Sequence, residues 1–501
     1  MITSPWTSRR LLIPRWRSLI ITIGANELAA PYPTIVLSET PVVSFDLLEK
    51  LDSWRDSPNV MTAGELVGSS LVVAQENKAV EAAQFLLSTE SSATVPLRRL
   101  AALALLRAGL EEHVPVGLEL NPQVTKRGWR KRTRMYSTNA LAWVELSLHD
   151  LVIGKKESAK RSMLVALQLA PTNRHVLRSA SRLFLHLGDA ERAYDTIADC
   201  ESISSDPWLI AAELSIANLA ERKPQNFARG RSIVVKGGLA PRQITELAGA
   251  IGTLELVAGH RRKARKYFRQ SLIDPTGNAL AQAEWASPLF GFELVTAQHL
   301  NSTTEVDEAK VLHLLHKEKF SEVPDMCRQW SNAEGYAIRP YEIASSATAL
   351  VGNHSRTIEI VRKGLTIKPN SAALLNNYAF ALSHTGKLNE AEHALRGIQR
   401  ENELNWLVSE ANRGLLAMRQ KNHVLGLTHY KRAINGFSKK KDERSANIAR
   451  IYLAREAALA NIPEAEALIK NARAAISRLN TSTHNHVIQE AEQALISPLV
   501  L

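Results

Sequence analysis

His313 and His316 stand three residues apart on one helical face, a spacing at which two imidazoles can touch one metal ion. No Asp, Glu or Cys at a recognised spacing completes the site, and two ligands alone bind weakly, so an ordinary polar face is the simpler reading. The sequence has no phosphate-binding glycine loop ending in Lys-Ser/Thr, no His-Glu-x-x-His and no nucleophile elbow. No catalytic, cofactor-binding or metal-binding residue is expected.

The other candidates are cationic. Lys126, Arg127, Trp129, Arg130, Lys131, Arg132 and Arg134 place six basic side chains around one indole. That combination can bind phosphates while stacking a base, which is the nucleic-acid reading. Charge runs are also common in connectors, and Trp129 tucked against the following helix is the plainer alternative. A second run, Arg261, Arg262, Lys263, Arg265, Lys266 and Arg269, interleaves with Ala264 and Phe268. It reads as the solvated face of a helix.

The elements that must carry these residues are legible in composition. The 501 residues are 45% hydrophobic, enough for a continuous core, and only 6% aromatic, a balance that suits helices better than sheets. A formal charge of +12 favours an anionic partner without selecting one. Cys200 and Cys327 are too few for a disulfide framework or a zinc cluster and suit buried free thiols in a reducing compartment. Near the N-terminus, Arg9, Arg10, Arg15 and Arg17 precede Leu19-Ile20-Ile21-Thr22-Ile23. That apolar run is at the short limit for a signal peptide and far below a membrane span, so a cytoplasmic protein is expected.

The strongest signal is periodicity. Trp143, Leu146, Ser147, Asp150, Gly154, Ala159, Met163, Ala166 and Pro171 describe two helical stripes, a turn between them and a closing proline. Tyr341, Ala344, Ser345, Thr348, Gly352, Thr357, Val361, Gly364 and Pro369 repeat the series. A further copy, shifted by 34 residues, has Leu375, Tyr378, Ala379, Leu382, Gly386, Ala391 and Leu395. Weaker copies lie at 174–203, 245–276 and 407–440, and degraded ones at 205–238, 304–337 and 446–475. An early pair falls at 62–90. Small residues at fixed places let paired helices approach closely.

At these residues the chain resembles the tetratricopeptide-repeat family, whose helix–turn–helix unit is about 34 residues long. It departs from the family's pattern where Asp150 and Thr348 replace an aromatic and where Lys421 replaces the turn glycine. The resemblance implies an all-α, right-handed α-solenoid over 139–501. Before it come a non-repeat segment at 1–58, a helical region with a degenerate repeat at 59–125 and a basic linker at 126–138.

The resemblance further implies a concave groove lined by the first helix of each unit, the surface on which solenoids commonly bind partners. His175, Arg178, Arg182 and His186 then share one groove-facing stripe, suited to an acidic or peptide-like segment of a protein partner. Internal pairing is the alternative, with Glu213 in the next unit neutralising Arg182. Asn376 and Asn377 resemble the amide part of the family's carboxylate clamp, but Glu342 and Ser346 stand where Lys and Asn are wanted. Asn377 is then left to bond a peptide backbone. The function expected is a non-enzymatic scaffold or adaptor, a regulatory component of a multi-protein system, with nucleic-acid association as the alternative.

Overall fold

Helix starts are written locally. Asn139, Asn173, Asp189, Asn353, Ser371, Asn402, Asn422 and Asp442 each stand at an N-cap, where the side-chain oxygen accepts from a first-turn N–H that has no partner within its helix. Asp206 does the same ahead of Pro207, whose missing N–H costs nothing at the first helical position. In this computed structural model the described residues are 1, 10–18, 45–72, 75–89, 93, 95–110, 113, 129–130, 133–135, 137–303, 305–400, 402–479 and 483–496. Among them the regular structure is helical throughout, without a strand.

The chain divides into two compact units, one of residues 18–170 and one of residues 1–17 with 171–501. The first holds α1 (Phe45–Asp56), α2 (Val60–Val72), α3 (Val80–Ser88), α4 (Val95–Arg107), α5 (Ala140–Val152) and α6 (Lys156–Leu169). Helices α2 and α3 are the early pair expected at 62–90, with Leu66, Ala82 and Leu86 buried in a core that also takes Leu47 and Trp54.

The second unit holds α7 (Arg174–His186), α8 (Ala190–Ala198), α9 (Pro207–Ile216), α10 (Phe227–Lys236), α11 (Pro241–Val257) and α12 (Arg261–Ser271). It continues with α13 (Gly277–Phe290), α14 (Ala297–Ser302), α15 (Asp307–His316), α16 (Val323–Ala333), α17 (Arg339–Leu350) and α18 (His354–Ile367). It closes with α19 (Ala372–His384), α20 (Leu388–Arg396), α21 (Glu403–Arg419), α22 (His423–Lys439), α23 (Glu443–Leu459), α24 (Ala465–Leu479) and α25 (Asn485–Ile496). Each odd-numbered helix from α7 to α11 and from α15 to α23 packs on the helix after it. First helices of neighbouring pairs also pack on one another, α9 on α11, α11 on α13, α13 on α15, α17 on α19, α19 on α21 and α21 on α23. One hairpin cannot cover its own apolar faces, so the stack is the folding entity.

The seam is as tight as the small residues allow. A β-carbon built on Gly414 would stand 2.6 Å from Tyr430 Cδ2, and one on Gly364 would stand 2.9 Å from Tyr341 Cβ. Gly154, Gly352 and Gly386 sit at the bends with φ of 77°, 76° and 75°, the left-handed region that glycine enters without strain. The weaker unit at 407–440 and the degraded units keep this bend without the glycine: Lys421, Glu221, Glu318 and Asn461 hold φ of 65°, 52°, 55° and 51°. Thr348, standing where the family has an aromatic, is buried and lies 2.9 Å from Thr357 across the pair, hydroxyl to hydroxyl. Helices α13 and α14, which no recurring spacing announces, lie between the units at 245–276 and 304–337.

Candidate functional site

Residues 10–17 lie against the first helices α11, α13 and α15 and the start of α17. Arg10, Leu12, Pro14 and Trp16 are buried while Leu11, Ile13, Arg15 and Arg17 are half-buried, the two-residue alternation of an extended strand. This segment is called the arm below. Its residues fall in the non-repeat segment expected at 1–58; in the fold they belong to the second unit.

The arm is held in two ways. Side chains of α13 and of the turn before α17 take its backbone carbonyls at every third residue. Gln282 Nε2 donates to the Arg10 carbonyl at 2.9 Å, Asn278 Nδ2 to that of Ile13 at 3.0 Å, and the Tyr336 hydroxyl to that of Trp16 at 3.1 Å. These bonds fix direction and register and are indifferent to side-chain identity.

Identity is read by charge. Arg10 donates from Nε and Nη2 to the two oxygens of Glu308 at 2.9 and 2.6 Å, and also to Gln282 Oε1 and Asn278 Oδ1. Arg15 reaches the same Glu308 at 2.8 Å and the carbonyl of Glu305 at 2.8 Å. Arg17 spans Glu334 and Asp307 at 3.0 Å each. Charge-assisted bonds of this kind are the stronger class of hydrogen bond, and the Arg10–Glu308 pair is bidentate. Arg339 Nε adds a further charge 3.4 Å from Glu308, without hydrogen-bond alignment.

Glu308 and Glu334 are 5% and 4% exposed, so both charges are largely out of water. Burial works against the Glu308 carboxylate, but Arg10, Arg15 and Arg339 outweigh it and hold its carboxyl well below the usual carboxylate range. The face is built for cations. Apolar anchors complete it: Leu12 packs over Gly249, where a β-carbon would stand 2.9 Å from its Cδ1, and the fully buried Trp16 ring lies 5.8 Å from that of Tyr336.

The four stripe residues of α7 divide around this site. Arg182 donates to the Tyr336 hydroxyl at 3.2 Å, and His186 presents its ring edge-on to Tyr336 at 5.6 Å. Arg178 pairs with Glu246 at 2.7 Å and bonds the Trp208 carbonyl. His175 is desolvated, which together with the neighbouring Arg178 lowers its pKa to about 4. The internal partner expected for Arg182 is different in the fold. Glu213 accepts from Tyr194 and from the backbone of Gln225 and Asn226, because the chain after α9 folds back over it.

Asn376 and Asn377 are buried in the stack. Asn377 Nδ2 donates to Ser345 and Ser346 at 2.9 Å each, and Asn376 bridges to Asn405 and Asn412 of the next pair. Both amides tie one first helix to its neighbours. Of the basic cluster, Lys126, Arg127, Lys131 and Arg132 lie outside the described residues, while Arg130 and Arg134 are exposed and Trp129 stacks on His149 of α5 at 6.4 Å. His313 and His316 converge on Glu284 at 3.3 and 3.0 Å, a carboxylate that sequence spacing could not supply because it comes from the preceding pair. No group suited to hold a metal ion occurs among the described residues. No helix there is long and apolar enough to cross a membrane.

The floor carboxylates Glu308 and Glu334 were not picked out from sequence. The signal available for Glu308 was weak, a polar residue at an inward position of α15 where a core stripe should be apolar, and Glu334 stands just past the end of α16, outside any stripe.

No family model matches the sequence, and no curated protein is similar to it. Among solved structures, the crystal structure of the APC/C hetero-tetramer Cut9-Hcn1 aligns over 89% of this chain and 92% of that one, at 13% identity and a TM-score of 0.36. The crystal structure of yeast Tom70 aligns over 88% of this chain and 96% of that one, at 10% identity and a TM-score of 0.34. Likeness at that level carries no argument about fold or function. The stacked hairpins, left-handed bends and small-residue seam themselves define a tetratricopeptide-like, all-α array.

Proposed function

We propose that the protein is a non-enzymatic adaptor that holds an extended segment of a protein partner across the first-helix face of its second unit. The observation that carries this reading is the arm: side chains of α13 and α15, together with Tyr336, bond an extended backbone at intervals of three and pair its arginines with buried carboxylates. Helical arrays bind linear segments through such a face, and the face is already shaped for one. The charge of the floor favours a basic segment over the acidic one that the α7 stripe suggests. The stripe's role is then indirect, with Arg182 and His186 setting the orientation of Tyr336.

A photoreactive residue placed at exposed Glu305 tests the reading, with one at Arg265 on α12 as control. Protein adducts at Glu305 in cells support it. Adducts confined to Arg265 would turn it over.

One observation favours a second reading, association with nucleic acid. Arg262, Lys263, Arg265, Lys266 and Arg269 form an exposed row on α12, with no carboxylate within salt-bridge distance among the described residues. Phosphate contacts strengthen as salt falls, so mobility shifts at two salt concentrations, with and without Glu at these positions, decide it.

A further inference from the structure

We infer that the arm is an exchangeable self-ligand, and that the partner it yields to is a linear segment of its own chemistry: extended, with arginines in the order Arg-x4-Arg-aromatic-Arg. This rests on the adaptor reading above and adds the partner's class and the device that regulates access.

Three observations carry it. The first is charge complementarity. Asp307, Glu308 and Glu334 form one patch, and among the described residues their cationic partners, apart from Arg339, all come from Arg10, Arg15 and Arg17. A buried carboxylate stripped of its partner is strongly unfavourable, so the face is stable only when a cationic segment covers it. It has no use for an acidic or neutral occupant.

The second is the kind of bonding. The hydrogen bonds to the arm come from side chains and, at Glu305, from one carbonyl, whereas the helices beneath are tied to one another by their own packing. The arm can therefore leave without undoing a helix pair. The third is the pattern of recognition. Carbonyls at Arg10, Ile13 and Trp16 are read without regard to sequence, while the arginines and the apolar anchors Leu12 and Trp16 are read by type. Any segment that supplies the same types at the same spacing meets the same contacts.

Exchange in trans is then a competition between a tethered and a free copy of one motif. The tether gives the arm a high effective concentration, so an external segment gains access only when the arm is loosened or the partner is multivalent.

The experiment uses the full chain and a fluorescent peptide of residues 10–18. Fluorescence anisotropy is measured on the intact chain, on Arg15→Glu/Arg17→Glu, and on that variant with Glu334→Lys added. The expected result is saturable binding at least tenfold tighter to the loosened-arm variant than to the intact chain, lost when Glu334 is also reversed. Equal affinity for intact and loosened chains would overturn the self-ligand inference while leaving the adaptor reading standing. No binding to a loosened chain that melts cooperatively would overturn both. Because that variant could fail to fold, hydrogen exchange on the unaltered chain gives an independent reading. The Leu12, Ile13 and Trp16 amides should exchange at least tenfold faster than the core amides of α13. Exchange of the two sets at one common rate would make the arm an integral strap and end the proposal.

Discussion

Arg182 donates to the Tyr336 hydroxyl, and that hydroxyl donates onward to the carbonyl of Trp16, a relay that joins α7 to the arm through one phenol. Tyr336 is 1% exposed, and burial together with Glu334 raises its pKa, though Arg182 pulls the other way. The phenol therefore stays protonated, which it must in order to donate.

Tyr336→Phe removes the middle of this relay. It leaves a buried guanidinium N–H and a buried carbonyl without partners, and each such loss costs about 1–3 kcal/mol. The expected outcome is a lower urea midpoint with an unchanged slope. Arg182→Lys should produce part of the same loss, because an ammonium cannot keep the guanidinium's place over the Tyr336 ring, 5.3 Å from its centroid. A wild-type midpoint for Tyr336→Phe would remove the relay from the account.

Glu308→Gln tests the floor. Glu308 faces Arg10, Arg15 and Arg339, and removing one partner of a buried ion pair costs about 3–5 kcal/mol because uncompensated charge remains. The arm variant Arg10→Met in the Glu308→Gln background should recover part of that loss. A double-mutant cycle with near-zero coupling would show that the two side chains act independently.

Acid should weaken the second unit through three of its buried histidines. Burial lowers His175, His354 and His484 each to about 4, with Arg178 aiding at His175, Arg455 and Arg419 at His354, and His486 at His484. Between pH 6.5 and 4 the unfolded chain binds protons at these sites that the folded chain does not, so stability falls as pH falls through that window. The expected loss at pH 5 is on the order of 1–2 kcal/mol for each of His175 and His484, and less for the partly exposed His354, whose charge water screens. Melting temperatures from pH 7.5 to 5 measure it, and His354→Gln should flatten the curve. A steeper fall in His354→Gln would contradict a neutral, buried imidazole.

Sequence carried the array but not the site, and the reason is the range of the contacts. The bends at Gly154, Gly352 and Gly386 and the close approach at Gly414 are set by residues a turn or a pair away, so their spacing shows through a single sequence. The same holds for the Asn and Asp caps. The partner of Arg10 is Glu308, 298 positions along the chain, and that of Trp16 is Tyr336, 320 positions along. Nothing local encodes such a meeting. The repeat register puts Arg182 on the first-helix face, and there it meets Tyr336. The alternative partner, Glu213, is tied up by Tyr194 and by the turn after α9. Helix α13 carries no recurring spacing for a related reason. It is buried from Gly277 to Ser287, partly under the arm, so it lacks the polar outer stripe by which a repeat is read.

The bends that lack glycine give the last prediction. Lys421 holds φ of 65° between α21 and α22, where an L-residue's β-carbon crowds the following carbonyl at roughly 1–2 kcal/mol. Gly386 holds φ of 75° at the equivalent bend between α19 and α20, with nothing within 4 Å of a built β-carbon, so a side chain there would meet backbone strain and no packing clash. Lys421→Gly should therefore raise stability and Gly386→Ala should lower it, each by about 1 kcal/mol, the gain being trimmed by the extra freedom glycine confers on the unfolded chain. The two substitutions lie in adjacent hairpins of one stack, so the same urea titration reads both. Opposite signs are the required result. If Lys421→Gly destabilises as much as Gly386→Ala, the lysine is not strained, and the bend at 421 is set by contacts of its side chain instead of by the backbone.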